Sequence, residues 1–323
     1  GIIRSMIDQS LENKDFVENH SQNYSDFRKS IWKFDLIKVS SITGISVEDI
    51  NEAVNILANG PMATIYSNET IKPQNLDELV KLLIDLSLVS GNVGLKGGGL
   101  YPMFRGANSQ GATDLGLTTV VNNPSNLDIS DNRDISYAKI LEMIKNNQIK
   151  VLHLVGDFNE DYNNELFEII NNVNNSMKII SHKSLSNSNR NEVSDYILPS
   201  TTFAESEGTK TNLERRIQLL NIAISPKSDQ TQIYKSMQNL SKYFGDKKFQ
   251  YNKIESVFTE ISDLIPMYKN INYKFIKKNK NITWPISENN KNNILYSKKS
   301  NAINQKFNFK ISDLDESMFG RNG

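Results

Sequence analysis

The sequence predicts an α/β protein, with a doubly wound, mostly parallel sheet and part of a second α/β domain. The first observation is a series of short, continuous apolar segments that alternate with helical segments after about residue 140. Continuous apolar strands are typical of parallel sheets covered on both faces. The second observation is an N-terminal succession of helix, strand and helix. The third is that eight of the 16 glycines lie between Ser90 and Gly116.

Capping residues and helical spacing define the N-terminal elements. Ser46, followed three residues later by Asp49, resembles a capping box and predicts a helix that ends at Gly60. Residues 62–66 are expected to form a short buried strand. A second helix with a wide apolar face is expected from Asp77 to Val89, closed by the glycine-containing segment that follows.

The central region alternates helices and strands. Helical segments are expected at 140–144 and 166–173. Strands are expected at 151–155, 178–181 and 196–198, and each is short and mostly apolar. This alternation predicts the parallel sheet of a doubly wound domain.

The C-terminal part begins with two helices, expected at 233–244 and 254–265. From Lys277 onward Lys and Asn dominate, and we expect an irregular surface tail. The predicted domains are a partial α/β domain ending in a Gly-rich crossover (1–106), a doubly wound α/β domain (107–250) and a C-terminal helix with the tail (251–323).

The composition excludes several classes of function. Thirty-seven basic and 37 acidic residues give a formal net charge of zero, which argues against a nucleic-acid partner. Because the chain has no cysteine, it cannot itself supply a thiolate zinc site, a Cys nucleophile or the ligands of a Cys-bound iron–sulphur cluster. No run of about 18 apolar residues occurs, so we expect a cytoplasmic protein without direct membrane insertion.

The glycine-rich segment continues into Arg105 and a set of polar residues. A guanidinium presents a rigid fork of donors that suits carboxylates and phosphates. Asn108 and Gln110 add amide groups that can recognise a planar heterocycle. Two interpretations stay open here: a functional site, and an interdomain hinge whose glycines allow a tight crossover.

Two further segments contain residue types suited to binding. Gly156-Asp157 follows the first strand of the predicted sheet, at the carboxyl edge where open α/β sheets bind ligands. Asp157 could accept hydrogen bonds from a base or sugar, or the pair could form a turn that caps the next helix. The loop after Leu198 contains Glu205 and Glu207, which suit acid–base work only if burial or a like charge raises their pKa. That loop is either a solvated turn or a ligand clamp.

The three histidines are weak candidates for a metal site. His153 lies inside an apolar strand and is expected to be a hydrogen-bonded core residue rather than a ligand. His20 and His182 are expected in polar loops. The sequence therefore predicts no metal ligand in this chain.

Three stretches, in a consistent order and spacing, carry a resemblance to a known family. The first is Gly91-Asn92-Val93-Gly94, Gly97-Gly98-Gly99 and Arg105-Gly106-x-Asn108-x-Gln110-Gly111-Ala112. The second is Asp195-Tyr196-Ile197-Leu198-Pro199 with Phe203-Ala204-Glu205 and Glu207-Gly208-Thr209-x-Thr211-Asn212-x-Glu214-Arg215-Arg216-x-Gln218. The third is Trp284-Pro285. Together, over almost the entire chain, they look like the molybdopterin oxidoreductase family, of which formate dehydrogenase is the best-known type.

The resemblance implies a bis-molybdopterin guanine dinucleotide cofactor, with Mo or W, between two α/β domains. The arginine that stands beside the metal in formate dehydrogenases falls on Arg105, which would be catalytic and would orient the substrate. Asp157 would lie near a nucleotide end of the cofactor. The implied cofactor-binding residues are Arg105, Gly106, Asn108, Gln110, Gly111, Asp157, Glu207, Gly208, Thr209 and Asn212.

The resemblance also places parts of such an enzyme outside this chain. In the family the Cys or selenocysteine ligand of the metal and the iron–sulphur ligands lie upstream of the matched region. The implied partners are therefore that N-terminal portion and electron-transfer subunits, through which the protein could be peripheral to a membrane. Ser67-Asn68-Glu69 departs from the Gly-Met-Gly that formate dehydrogenases commonly have there, and the family's C-terminal double-psi barrel is absent or reduced to the tail.

Two hypotheses follow from the resemblance. In the first, the chain is a fragment or split subunit of a formate dehydrogenase-like oxidoreductase, inactive alone, that oxidises a small substrate such as formate. In the second, it is a non-catalytic scaffold portion of the large iron–sulphur subunit of respiratory complex I. Retention of Arg105 favours the first hypothesis, and the departure at Ser67-Asn68-Glu69 favours the second.

Overall fold

The computed structural model of the chain describes residues 1–67, 73–103, 106–117, 137–156, 160–172, 177–184, 193–227, 229–245, 249–279, 281–286, 294–296 and 306–311, without the side chains of 73–75 and 160–164. Two compact units are formed, one by Gly1–Gly106 with Ser287–Gly323 and the other by Ala107–Ile286. We call them unit 1 and unit 2. The predicted division into domains 1–106, 107–250 and 251–323 stays a prediction. In the structure, residues 251–286 pack as part of unit 2.

Helices and short strands alternate in both units. The helices are α1 (Ile2–Asp8), α2 (Lys14–His20), α3 (Tyr24–Ile31), α4 (Leu36–Thr43), α5 (Val47–Ala58), α6 (Pro73–Val89), α7 (Ser109–Asp114), α8 (Tyr137–Lys145), α9 (Glu160–Asn172), α10 (Ile233–Tyr243), α11 (Ile254–Leu264) and α12 (Tyr273–Lys278). The strands are β1 (Ser21–Gln22), β2 (Ala63–Ser67), β3 (Gly99–Met103), β4 (Val151–Val155), β5 (Lys178–Lys183), β6 (Tyr196–Pro199), β7 (Gly208–Thr211), β8 (Arg216–Leu220), β9 (Ile282–Thr283) and β10 (Phe307–Asn308). Short 3-10 helices occupy Phe203–Glu205 and Pro266–Tyr268.

Unit 1 buries one face of α5 against α1. The Ser46 hydroxyl accepts a hydrogen bond from the Asp49 amide, 3.0 Å away, so the predicted cap begins the helix. Val54 is fully buried in a core that includes Met6 and Phe27. The predicted N-terminal helix is confirmed because its cap and its apolar spacing agree.

The strand predicted at 62–66 exists but is not buried. β2 runs from Ala63 to Ser67 and pairs in parallel with β3. Ile65 is 64% exposed, and none of the five β2 residues is buried. The expectation of a buried strand was wrong, because an apolar run by itself does not reveal how many layers pack against it.

The helix predicted to start at Asp77 starts earlier. α6 begins at Pro73, a residue that the first turn of a helix tolerates because its missing N–H would have no partner there. Its end agrees with the prediction. The Gly91 amide donates to the Leu88 carbonyl at 3.1 Å and the Asn92 amide donates to the Ser87 carbonyl at 2.8 Å, the two bonds of a Schellman motif.

Unit 2 contains the predicted parallel sheet, in the order β4-β5-β6. Leu154 and Ile179 are buried against α8 and α9. The other face is less covered in the described part of the chain, since Val151 is 56% exposed and Tyr196 is 59% exposed. The α/β fold with mostly parallel strands is confirmed. Helices were expected on both faces of this sheet, and in the described residues they cover one face.

The C-terminal tail is more ordered than its composition suggested. β9 pairs antiparallel with β8, in a second sheet of unit 2 with the order β7-β8-β9. β10 pairs in parallel with β1, and the adjacent Phe309 is buried in the core of unit 1. The expectation of an irregular tail was therefore wrong for these residues. A two-residue strand has too little sequence to produce a periodic pattern, so packing alone determines it.

No helix in the described ranges is long and apolar enough to cross a membrane.

Candidate functional site

A cavity in unit 2 brings together residues from two of the predicted motif stretches. Its volume is about 220 Å³, and we call it the notch. Asn108 and Gly111 come from the start of α7, and Glu207, Gly208 and Thr209 come from the approach to β7 and from the strand itself. The remaining lining residues are Leu115, Thr211, Ile254, Val257, Phe258, Ile261 and Tyr268.

A side chain to backbone bond joins the two motif stretches. The Asn108 Oδ1 atom accepts a hydrogen bond from the Thr211 amide, 2.8 Å away, across 103 sequence positions. Gly111 fits closely beneath this bond. A Cβ at position 111 would lie 2.4 Å from Asn108 Oδ1, so a larger residue would push the amide side chain away from Thr211.

The hairpin after β7 depends on Asn212. Its Oδ1 atom accepts from the amides of Glu214 and Arg216, each at 3.0 Å. Arg215 takes a positive φ of 65° in the same turn. Asn212 therefore shapes the turn between β7 and β8, and it does not line the notch.

A buried carboxylate lies behind the notch. Asp114 is fully buried, and its Oδ2 atom accepts from the Tyr268 hydroxyl and from Trp284 Nε1, both at 2.8 Å. Its Oδ1 atom accepts from Gln110 Nε2 at 2.8 Å. The hydroxyls of Tyr268 and Thr211 are 2.7 Å apart. The Tyr268 hydroxyl has one proton and donates it to Asp114, so in the bond between the two hydroxyls Thr211 is the donor and Tyr268 the acceptor.

Burial and hydrogen bonding act in opposite directions on this carboxylate. Burial raises the pKa of Asp114 above its ordinary value, while the bonds from Gln110, Tyr268 and Trp284 and the charge of Arg215 oppose that rise. Burial, with the Asp114 charge, also raises the pKa of Tyr268. Tyr268 is therefore a neutral hydrogen-bonding group rather than an acid–base group at neutral pH.

Several predicted site residues do not line the notch. Gln110 points to Asp114, and Gly106 is exposed one turn before α7. Arg105 and Asp157 lie outside the described residues, as do Asn68 and Glu69.

Glu205 is a structural residue. Its carboxylate accepts from the amide and the hydroxyl of Thr202, at 2.9 and 2.8 Å, in a capping box of the 3-10 helix Phe203–Glu205. The amide of Thr202 lowers the pKa of Glu205, ahead of the contribution of its hydroxyl. Acid–base work would need the opposite shift, so the condition that the sequence analysis set for Glu205 is not met.

Two of the three histidines, His153 and His182, form a pair that the sequence did not predict. His153 Nε2 lies 3.0 Å from His182 Nδ1, so the expected hydrogen bond of His153 is present, but the residue is half-buried and not part of the core. His182 is in β5 and fully buried, and burial lowers its pKa. His20 ends α2. The loop positions expected for His20 and His182 were wrong, since both lie in regular elements.

Sequence analysis did not identify one wall of the notch. Ile254, Val257 and Ile261 come from α11, whose helical spacing was recognised but whose packing partner was not. Asp114 and Tyr268 were also not assigned a role. Among the described residues there is no cluster of three or more His, Cys, Asp or Glu able to hold a metal ion.

Comparison with known proteins identifies the family of this chain. The family model for the molybdopterin oxidoreductases matches residues 4–243. The chain belongs to the molybdopterin oxidoreductase family. The resemblance found in the motif stretches is thereby confirmed.

The similar relatives are formate dehydrogenase subunits. The F420-dependent formate dehydrogenase subunit alpha of Methanocaldococcus jannaschii is 27% identical over 305 residues, which cover 90% of this chain and 45% of the relative. The F420-dependent formate dehydrogenase 1 subunit alpha of Methanococcus maripaludis is 24% identical over 84% of this chain and 43% of the relative. The chain thus spans less than half the length of these relatives.

A solved structure supports the fold. Acetylene hydratase from Pelobacter acetylenicus superimposes with a TM-score of 0.65 at 13% identity, over 90% of this chain and 44% of that protein. The agreement concerns the fold alone.

Proposed function

We propose that this chain is the part of a formate dehydrogenase-like molybdoenzyme that holds one portion of a bis-molybdopterin guanine dinucleotide cofactor in the notch. The observation that carries the proposal is the convergence of Asn108 and Gly111 with Glu207, Gly208 and Thr209 around one cavity. These residues belong to two motif stretches that are about 100 positions apart in the chain.

The notch residues suit a planar, polar heterocycle. Asn108, Thr209 and Glu207 supply amide, hydroxyl and carboxylate groups able to pair with the edge of such a ring. Glycine at 208 keeps the backbone accessible for a close approach. The apolar side chains of Val257 and Ile261 provide a wall for the face of the ring.

The catalytic contribution proposed for this chain comes from Arg105. It lies three positions before Asn108 in the sequence, and its guanidinium can bind a carboxylate with two parallel hydrogen bonds. Such a contact would hold a small substrate such as formate and stabilise its charge. When bound, the molybdenum or tungsten cofactor supplies the two-electron oxidation.

The remainder of the enzyme is proposed to lie outside this chain. The metal ligand and the iron–sulphur clusters would come from an N-terminal portion or a partner, because this chain has no cysteine. Electron-transfer subunits are proposed as partners, in keeping with relatives that are subunits named alpha. A cytoplasmic location, peripheral to the membrane through those partners, is proposed with them.

The complex I scaffold is the less favoured function. The relatives described above have formate dehydrogenase names, which supports the enzymatic hypothesis. Metal analysis of the complete protein separates the two, since a scaffold would contain neither molybdenum nor tungsten in stoichiometric amount.

The proposal is tested by filling the notch. Thr209 lines it, whereas its neighbour Lys210 does not, because successive strand residues point to opposite faces. In the complete enzyme we expect Thr209→Trp to lower the pterin and metal content by about tenfold or more. Lys210→Trp is the matched control and is expected to leave both contents within about twofold of wild type.

Pterin released by acid is measured by fluorescence, and metal by elemental analysis. Wild-type protein with neither pterin nor metal, or Thr209→Trp protein that keeps its full content, would contradict the proposal.

A further inference from the structure

We propose that Asp114 is a positioning residue, which holds the two walls of the notch in register through one hydrogen-bond circuit. This inference rests on the function proposed above, because it concerns how the notch is kept ready for its ligand. Asp114 itself does not line the cavity.

The circuit closes on itself. The Asn108 side chain accepts from the Thr211 amide, and the Thr211 hydroxyl donates to Tyr268, which donates to Asp114. Asp114 ends α7, whose first turn follows Asn108. Three hydrogen bonds and the backbone of α7 therefore connect one wall of the notch with the other and close the circuit.

Three of the four members of the circuit are buried, and Asn108 is exposed. Asp114 is fully buried, Thr211 is 3% exposed and Tyr268 is 3% exposed. Hydrogen bonds to a buried charged group are stronger than those between neutral groups, and a member left without its partner stays desolvated. Loss of a hydrogen bond between Asp114, Tyr268 and Thr211 should therefore loosen the circuit, because water does not reach these three buried side chains to replace it.

Asp114 also accepts two hydrogen bonds from side chains outside the circuit. Gln110 Nε2 donates to its Oδ1 atom from within α7, and Trp284 Nε1 donates to its Oδ2 atom from the residue after β9. Arg215 Nη1 in turn donates to the Trp284 carbonyl at 2.7 Å. One carboxylate thus connects α7, the hairpin of β7 and β8, and the segment that follows β9.

The chain supplies a matched pair of tyrosines for the test. Tyr268 and Tyr273 are both buried in the same apolar core. The Tyr268 hydroxyl belongs to the circuit, whereas the Tyr273 hydroxyl has no hydrogen-bond partner among the described residues. Tyr268→Phe and Tyr273→Phe remove the same atom from similar surroundings, but only the first breaks the circuit.

A conservative variant of Asp114 supplies the rescue. In Asp114→Asn the side-chain oxygen can still accept from Tyr268 and Trp284. The new side-chain amide at position 114 can donate to the side-chain oxygen of Gln110 once the Gln110 side-chain amide flips, which exchanges the positions of its oxygen and nitrogen. Asp114→Ala removes all three bonds.

The experiment uses the complete enzyme and measures two quantities for each variant. The first is the rate of pterin release from the loaded enzyme. The second is amide hydrogen exchange of the peptides covering 108–115 and 208–212 in protein made without cofactor. We expect Tyr268→Phe and Asp114→Ala to raise the release rate by about tenfold, with faster exchange in both peptides. We expect Asp114→Asn and Tyr273→Phe to stay within about threefold of wild type.

The outcomes separate this inference from the proposed function. If Tyr268→Phe releases pterin no faster than Tyr273→Phe, or if its notch peptides exchange as in wild type, the positioning role is wrong. If Asp114→Ala does not fold, Tyr268→Phe and Asp114→Asn decide the question. If the wild-type enzyme contains no pterin, the proposed function fails, and exchange in the cofactor-free protein still decides whether Asp114 holds the notch.

Discussion

Asp85, in α6, is a buried carboxylate with incomplete hydrogen bonding. Its Oδ1 atom accepts from the Lys310 amide at 2.9 Å, whereas its Oδ2 atom has no partner in the described part of the chain. Burial raises the pKa of Asp85 from 3.8 to about 7, and the Lys310 amide opposes the rise. The folded protein therefore holds this proton at a pH where the unfolded chain has lost it.

The pH dependence of stability follows from that difference. Between about pH 4 and about pH 7 the unfolded state binds fewer protons at Asp85 than the folded state, so the free energy of unfolding falls as pH rises. The loss is at most about 4 kcal/mol, since one pKa unit corresponds to about 1.4 kcal/mol. Above about pH 7 both states are ionised and this contribution is constant.

Asp85→Asn should remove this dependence. The variant keeps an acceptor for the Lys310 amide but has no proton to lose. We expect denaturation by urea to show wild type losing stability relative to the variant between about pH 4 and about pH 7. A difference between the two proteins that stays constant over that range would contradict the raised pKa.

At the scale of elements, the end of α6 and the start of α2 support one another. Gly91 ends α6 with a positive φ of 66°. The Asn13 side chain caps α2 by accepting a hydrogen bond from the Phe16 amide at 3.0 Å. The backbone amide of Asn13 donates to the Val89 carbonyl at 2.8 Å. A Cβ at position 91 would lie 2.4 Å from the Asn13 side chain.

Gly91→Ala should therefore destabilise unit 1 in two ways. The backbone strain of a left-handed alanine costs about 1 kcal/mol, and displacing the Asn13 cap costs about 1 kcal/mol more. Gly44 is the matched control, because it ends α4 at a φ of 74° and a Cβ there would contact nothing within 4 Å. We expect Gly44→Ala to cost only the backbone strain, and equal losses of unfolding free energy for the two variants would contradict the contact with Asn13.

At the scale of the whole molecule, unit 1 is assembled from both ends of the chain. β10 pairs with β1, and the Phe309 ring stacks on Phe27 at 4.9 Å between centroids. Phe309 is 3% exposed and belongs to the same core as Met6. Residues near 309 are therefore part of the N-terminal unit despite their distance in sequence.

Phe309→Ala should destabilise unit 1 although the residue lies near the C-terminus. Removing a buried phenylalanine leaves a cavity and costs about 4 kcal/mol. We expect amide hydrogen exchange to rise in peptides from 1–58 and to stay unchanged in those covering 151–184. Phe244→Ala is the control, since that ring is 85% exposed; unchanged exchange in 1–58 with Phe309→Ala would contradict the assembly of unit 1 from both ends.

Local signals in the sequence predicted the parallel sheet and six of the twelve described helices, namely α5, α6 and α8 to α11. Ser46 and the apolar spacing of α5 act within one or two turns, so their effect can be predicted from residues that are close in the sequence. The short strands β9 and β10 and the exposure of β2 could not be predicted in the same way. Those features depend on which elements pack together, and a two-residue strand has no period of its own.

The candidate site was predicted in part. The motif stretches that contain Asn108, Gly111 and Thr209 were recognised, and the structure brings these three residues to one cavity. Asn212 and Gln110 were grouped with them, but their side chains bond within the protein. Residue type and spacing indicate a polar cluster; whether a given side chain faces a ligand or a neighbouring residue depends on its orientation in the fold.

The sequence by itself determined the family, the α/β class and the bounds of helices such as α5, α10 and α11 to within two residues, because these depend on composition and on spacing over a few residues. Only the tertiary structure decided that Asp114 accepts from Tyr268, 154 positions away, and from Trp284, 170 positions away. Contacts over such distances form when separate elements pack around a common core, and no local pattern records which partner each buried polar group will meet.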